Sequence, residues 1–189
     1  VNGPSTWTFE PVDEDIENLE IDVNNNEATI ITLPYAYGAD GDVSPATNKE
    51  NGIMTYGIKV VSEDRSKLLL YQKESFAAGE PMIVVAGELT NDADADKGTI
   101  KMFLPLANDY SYDLVDANGL VGTFNYTFIP NNVGLIKGDS VISTEATEVA
   151  VFGQRGYINA AQVTNMEGVE TALTLNLKGE FVNNINNAG

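Results

Sequence analysis

The chain contains neither cysteine nor histidine. Without thiolates and imidazoles it has no Cys/His zinc cage, no cysteine nucleophile, no Ser-His-Asp triad and no imidazole acid–base catalysis. Basic residues are also scarce: ten Lys and Arg stand against twenty-eight Asp and Glu, a formal charge of −18. A surface of that sign repels phosphate backbones and anionic headgroups, and the few cations never interleave with aromatics into a binding stripe. Nucleic acid is therefore excluded as a partner. No run of about eighteen apolar residues occurs, so direct membrane insertion of this segment is not expected. The single tryptophan, Trp7, lies near one end and cannot form a broad indole platform by itself. The chain opens on Val1 and not Met, as expected of a processed form or an excised fragment.

What the sequence does have is strand signal. Runs rich in Val, Ile, Thr, Tyr and Phe occur at Thr6–Phe9, Ala28–Leu33, Met54–Val61, Lys67–Gln72, Met82–Ala86, Thr99–Leu104, Leu120–Phe128, Glu148–Phe152, Gly156–Ala160 and Thr171–Leu177. Clusters such as NNNE, YGADGDVSP, DANG and PNNVG separate them and supply turn conformations. This spacing predicts an all-β protein, a β-sandwich-type domain of about ten short, mainly antiparallel strands. Residues 1–180 are read as one domain and 181–189 as an Asn-rich flexible tail. ATIITLPYA and GTIKMFLPLA echo one another, each a strand ending in Leu-Pro, which allows two similar halves, 1–90 and 98–180. In VDEDIENLEIDV, Ile16, Leu19 and Val23 fit one face of a helix, but Leu19, Ile21 and Val23 also alternate strictly before Asn24-Asn25-Asn26, and the alternation predicts a hairpin into the next strand over the helix.

Three groups of residues are candidates for chemistry. Asp92, Asp94 and Asp96 alternate in DADADKG, the oxygen spacing that opens a calcium loop. Counted from Asp92, however, the turn position is Lys97 and the twelfth is Phe103, where that loop needs Gly and Glu. A solvated hairpin tip and a weak calcium site are the two readings, and no other cofactor is implied. Tyr35 with Tyr37, and Tyr110 with Tyr112, each follow a Leu-Pro or Leu-Pro-Leu step at i and i+2. That spacing puts both rings on one face, which suits either sugar stacking or core packing. Carboxylates are too abundant for any pair to stand out as glycosidase machinery, and neither a GxSxG elbow nor a Gly-rich phosphate loop opening a helix is present. No enzyme is expected.

The ordered segments ITLPYAYG (31–38), MTYGIKV (54–60), FAAGEPMIVVAGE (76–88), GTFNYTF (122–128) and VFGQRGYINA (151–160) resemble a module of large surface and secreted proteins of Bacteroidetes. Those modules read as a TLPF strand, a vYt strand, an AGxPYiv strand, a GTf strand and a closing RaYi strand. Tyr35 stands where the family has Phe, and Met82 where it has Tyr. The resemblance implies a cell-surface or secreted protein with a structural or adhesive role and no catalytic residue. Its partners would be a protein or glycan at the cell surface, the glycan case being a carbohydrate-binding module that uses the loop tyrosines. Independently of it, Gly79 and Pro81 in AAGEP predict a positive-φ turn and a strand opening on proline, and Arg155 predicts pairing with a carboxylate near a strand end.

Overall fold

The computed structural model describes residues 18–89, 98–107, 109–125, 127–129, 133–143, 150–151 and 155–179. The elements, in chain order, are β1 (Asn18–Asn24), β2 (Glu27–Thr32), α1 (Ser44–Glu50), β3 (Ile53–Val61), β4 (Lys67–Gln72), β5 (Pro81–Ala86) and β6 (Thr99–Pro105). They continue with β7 (Leu120–Thr123), β8 (Thr127–Phe128), β9 (Gly134–Lys137), β10 (Ser140–Ser143), β11 (Ala150–Val151), β12 (Arg155–Ile158), a 3₁₀ turn at Ala160–Gln162 and β13 (Leu173–Lys178). The chain is all-β, as its short alternating runs predict. A nine-stranded sheet runs in the order β2-β5-β3-β4-β13-β10-β9-β12-β7, and β1-β6 and β11-β8 form two-stranded ribbons. Among the described residues every strand pairing is antiparallel except β10 with β13.

Two hydrophobic cores result, and β5 belongs to both. Its six residues, PMIVVA, are all buried. Because side chains alternate across a strand, Ile83 and Val85 enter one core with Ile30, Leu68, Leu70 and Ile158, inside the curled sheet. Met82, Val84 and Ala86 enter the other, beneath the β1-β6 ribbon, with Ile31, Leu33, Met102 and Leu104. A strand covered on both faces must be apolar throughout, and this one reads as a continuous run for that reason. Pro81 occupies its first position, where a missing N–H costs least.

The large sheet curls until β2 lies over β7 and β12, and glycines make the approach possible. Gly122 and Gly156 are directly paired across β7 and β12. A Cβ on Gly122 would collide with Thr32 Oγ1 and lie 2.8 Å from its Cγ2; one on Gly156 would lie 2.7 Å from Ile30 Cγ2. The Thr32 hydroxyl donates to the Arg155 carbonyl at 2.9 Å, tying β2 to β12. Glycine inside a strand marks such a close crossing, and these two are the glycines of GTF and RGY.

Several expectations need correction. β1 and β2 are strands joined at Asn25-Asn26, but they do not form a hairpin: β1 pairs with β6 and β2 with β5. The turn amides explain the divergence, since Asn25 N–H donates to the Gly98 carbonyl and Asn26 N–H, at φ 59°, to that of Ala86. The chain therefore turns a corner from one core layer to the next. The run 120–128 is broken into β7 and β8, because the Thr127 hydroxyl donates to the Asn125 carbonyl at 2.6 Å and bends the chain there. Helix α1 and the β9–β10 hairpin are additions that the strand pattern does not predict. The hairpin turns on Gly138-Asp139 with φ 61° at the glycine, as a II′ turn requires. Pairing of β1 with β6 and of β4 with β13 joins the stretches 1–90 and 98–180 by hydrogen bonds. Residues 181–189 and the expected strand at Thr6–Phe9 lie outside the described residues.

The seam gives a direct prediction. Gly122→Ala should destabilise the domain by about 1–3 kcal/mol through overpacking, read as a lower urea midpoint. Thr32→Ala should recover part of that loss in the double variant, because it removes the two atoms nearest the new methyl. Strictly additive effects would place the strain elsewhere.

Candidate functional site

The Leu33-Pro34 step after β2 delivers Tyr35 and Tyr37 to one face, as their spacing predicts. That face is the second core: Tyr35 is 2% exposed and Tyr37 1%. Neither ring presents a face to a sugar, so core packing, the other reading of the spacing, describes both. Tyr37 exchanges backbone hydrogen bonds with Phe76 at 3.0 and 2.8 Å. Its hydroxyl accepts from Asn48 Nδ2 at 2.8 Å.

Asn48 sits on α1, whose start is marked by Asp42 and Pro45. The Asp42 carboxylate accepts from Gly38 N–H at 2.7 Å and from Ser44 N–H at 2.8 Å, closing the loop that precedes the helix. From the helix, the Asn48 amide also donates to the Phe103 carbonyl at 2.9 Å and accepts from the Phe103 N–H at 2.7 Å. A buried side-chain amide thus supplies β6 with a donor and an acceptor of the kind a neighbouring strand would provide. Asn118 does the same service elsewhere. In a tight turn with φ 55° at Asn118 and 89° at Gly119, its amide donates to the carbonyls of Ile58 and Thr164 and accepts from the Thr164 N–H at 2.8 Å. The DANG pattern marks a turn but carries no sign of these cross-links. Only the Asp42–Pro45 helix-start pattern could have pointed to α1.

The surface feature of the site is the stretch 109–116. It crosses the Leu-Pro step and the AAGEP turn outside any sheet. Ser111 N–H donates to the Pro34 carbonyl at 2.7 Å, and Val115 N–H to that of Gly79 at 2.9 Å. Gly79 has φ 81°, and a Cβ there would collide with the Asp113 carbonyl, so both its conformation and its contact demand glycine. Tyr110 stands edge-on to Tyr35 at 5.8 Å and remains 43% exposed; Tyr112 stands edge-on to Phe124 at 5.4 Å and is 67% exposed. Leu114 and Val115 are exposed as well. Of the four tyrosines, then, two are core and two form an apolar ledge.

Beside the ledge lies a groove of about 710 Å³, lined among others by Tyr35, Val43, Pro105, Asp40, Asp42 and Asp109. A smaller cavity of about 210 Å³ lies against Tyr71, Phe76, Asn118 and Met166, with the Lys73–Glu80 ion pair, 3.5 Å long, at its wall. Arg155 is partly buried, and that burial pulls its guanidinium below the usual value. Asp92, Asp94 and Asp96 lie outside the described residues. Among the described residues no three acidic side chains are grouped to hold a metal ion, and no helix is long and apolar enough to cross a membrane. No family model, curated protein or solved structure matches the chain.

Burial pushes the Tyr37 phenol up to about 12 against the opposing pull of the Asn48 bond, and burial likewise raises Tyr35, with Tyr110 and Asp42 adding to it. A phenol raised in the folded state favours folding fully below its unfolded value near 10 and loses that contribution as pH rises towards 12. The melting midpoint should therefore fall through that window, with roughly 1.4 kcal/mol of stability lost for each pH unit between the two values. Tyr37→Phe should flatten part of the fall; an unchanged profile would mean that the ring is not held as described. Asn48→Ala, which leaves the Phe103 backbone groups and the Tyr37 hydroxyl without their partner, should cost about 2–3 kcal/mol in urea unfolding.

Proposed function

We propose that this chain is a non-enzymatic structural or adhesive module of a bacterial cell-surface or secreted protein. The observation that carries the adhesive part is that Tyr110, Tyr112, Leu114 and Val115, within six residues of one another, are each exposed on a strongly acidic chain. A cluster of exposed apolar side chains along one short stretch of a charged protein is the kind of surface that contacts use. The structural part is supported by how the prolines and glycines are spent within the fold: Pro34 and Gly79 brace the ledge, and Gly122 and Gly156 close the sheet. A carbohydrate-binding module is the second reading, favoured by Tyr112, a 67% exposed residue whose aromatic ring offers a surface on which a sugar could stack.

A thermal melt of the full chain against a panel of matrix proteins and polysaccharides tests both. Saturation with a specific ligand at about a hundred times its Kd should add about 2.7 kcal/mol, a rise of roughly 5–10 °C for a chain of this size. The rise should disappear in Tyr112→Ala/Leu114→Ser, whose own midpoint falls only by the loss of the Tyr112–Phe124 edge contact, about 0.5–1.5 kcal/mol. A shift with protein ligands supports adhesion, and one confined to polysaccharides supports the second reading. Turnover of a glycoside, ester or peptide substrate would sink both.

A further inference from the structure

The ledge has a backbone as well as side chains, and its hydrogen bonds alternate. Ser111 and Val115 donate inward to Pro34 and Gly79, and Asp113 N–H donates to Ser111 Oγ at 3.3 Å. Between them, the amides of Tyr112 and Leu114 have no hydrogen-bond partner among the described residues. A period of two is that of an extended chain, in which alternate residues direct both N–H and C=O to the same side. The stretch, which lies outside any sheet, is thus anchored along one side at Ser111 and Val115, with the Asp113 carbonyl against Gly79 on that same side, and is open along the other at Tyr112 and Leu114, as the edge of a strand is.

The side chains indicate what kind of neighbour. Tyr112 and Leu114 offer apolar contact, while Asp109, Asp113 and Asp116 punctuate the same stretch, all exposed. Asp109, two residues before this edge, also lines the 710 Å³ groove together with Asp40. A second copy of this chain would bring another −18 charges to an acidic surface, and repulsion disfavours it. An opposite charge pattern complements it.

Building on the adhesive reading, we propose that residues 111–116 are an open strand edge that receives an extended, basic segment of another protein. Main-chain hydrogen bonds to Tyr112 and Leu114 hold the segment, and a Lys or Arg side chain of it enters the groove lined by Asp40 and Asp109. Affinity comes from the ladder and selectivity from the apolar and cationic alternation of the guest, the division of labour in strand addition.

The test uses the full chain, a short peptide alternating lysine with valine, and the same peptide N-methylated at every second residue. Binding is read by fluorescence anisotropy, and amide exchange by NMR. The unmodified peptide should bind and slow exchange at Tyr112 and Leu114. N-methylation on the ladder side should weaken binding by about tenfold or more, the loss of one or two hydrogen bonds. Asp40→Asn/Asp109→Asn should weaken the peptide severalfold while leaving the melting midpoint unchanged, and added salt should do likewise to the wild type. Equal binding of the N-methylated peptide, or unchanged exchange at both amides under saturation, overturns the proposal, as does protection by a polysaccharide or by self-association in its place. If the peptide fails while a matrix protein still raises the midpoint through Tyr112 and Leu114, strand addition is wrong and adhesion stands. If no protein ligand acts in either experiment, both fall.

Discussion

Burial of β5 on both faces is the constraint from which the architecture follows. Ile83 and Val85 need the curled sheet on one side, and Met82, Val84 and Ala86 need a second cover on the other. The β1-β6 ribbon is that cover. Among the described residues, the sheet side chains that enter this second core come from β5 and its neighbours β2 and β3, so the placement of the ribbon on the sheet depends on Ile31, Ile53, Met82, Val84 and Ala86. The Leu33–Tyr37 stretch, Phe76 and α1 complete the cover and bring the ledge and the acidic groove to its rim.

Two kinds of backbone economy hold this arrangement. Paired glycines let β2 lie directly on β7 and β12, so the sheet nearly closes without needing a full hydrogen-bonded ladder at the seam. Carboxamides do the opposite task, filling places where a strand has no neighbour. Asn48 supplies Phe103 with both bonds of a missing ladder rung, and Asn118 satisfies the Ile58 carbonyl beside the register shift in β3. Buried backbone groups left without partners cost about 1–3 kcal/mol each, so these two side chains protect the interior as much as any apolar residue does.

Fold class and most strand positions were legible because each rests on local periodicity: β4 spans Lys67–Gln72 as its pattern predicts, and β5 differs only by Pro81 at its head. What could not be read was which strand pairs with which. β1 alternates as a half-buried strand, yet its partner is β6, because bonds from Asn25 and Asn26 to distant carbonyls turn the chain away from β2. Helix α1 was hidden by its brevity, seven residues with no apolar stripe. The site was half legible. An i, i+2 tyrosine pair announces a shared face but not whether solvent or core lies on it, and the answer differs for the two pairs. The ledge itself depends on bonds to Pro34 and Gly79, far away in sequence, which no local pattern encodes.

The pairing of β1 with β6 also orders events in time. A chain made from its N-terminus produces β1 first and completes its partner only after β2 to β5 have emerged. Until Leu104 is available, the apolar residues Leu19, Ile21 and Val23 have no ribbon to join, and the outward face of β5 stays uncovered. The sheet cannot be completed earlier either, since β4 waits for β13 near the far end of the chain. Long-range pairing of this kind slows folding relative to a meander of the same size. Until β13 is made the polypeptide is therefore an unclosed, strongly anionic chain, and mutual repulsion of its carboxylates disfavours premature collapse and association with its copies.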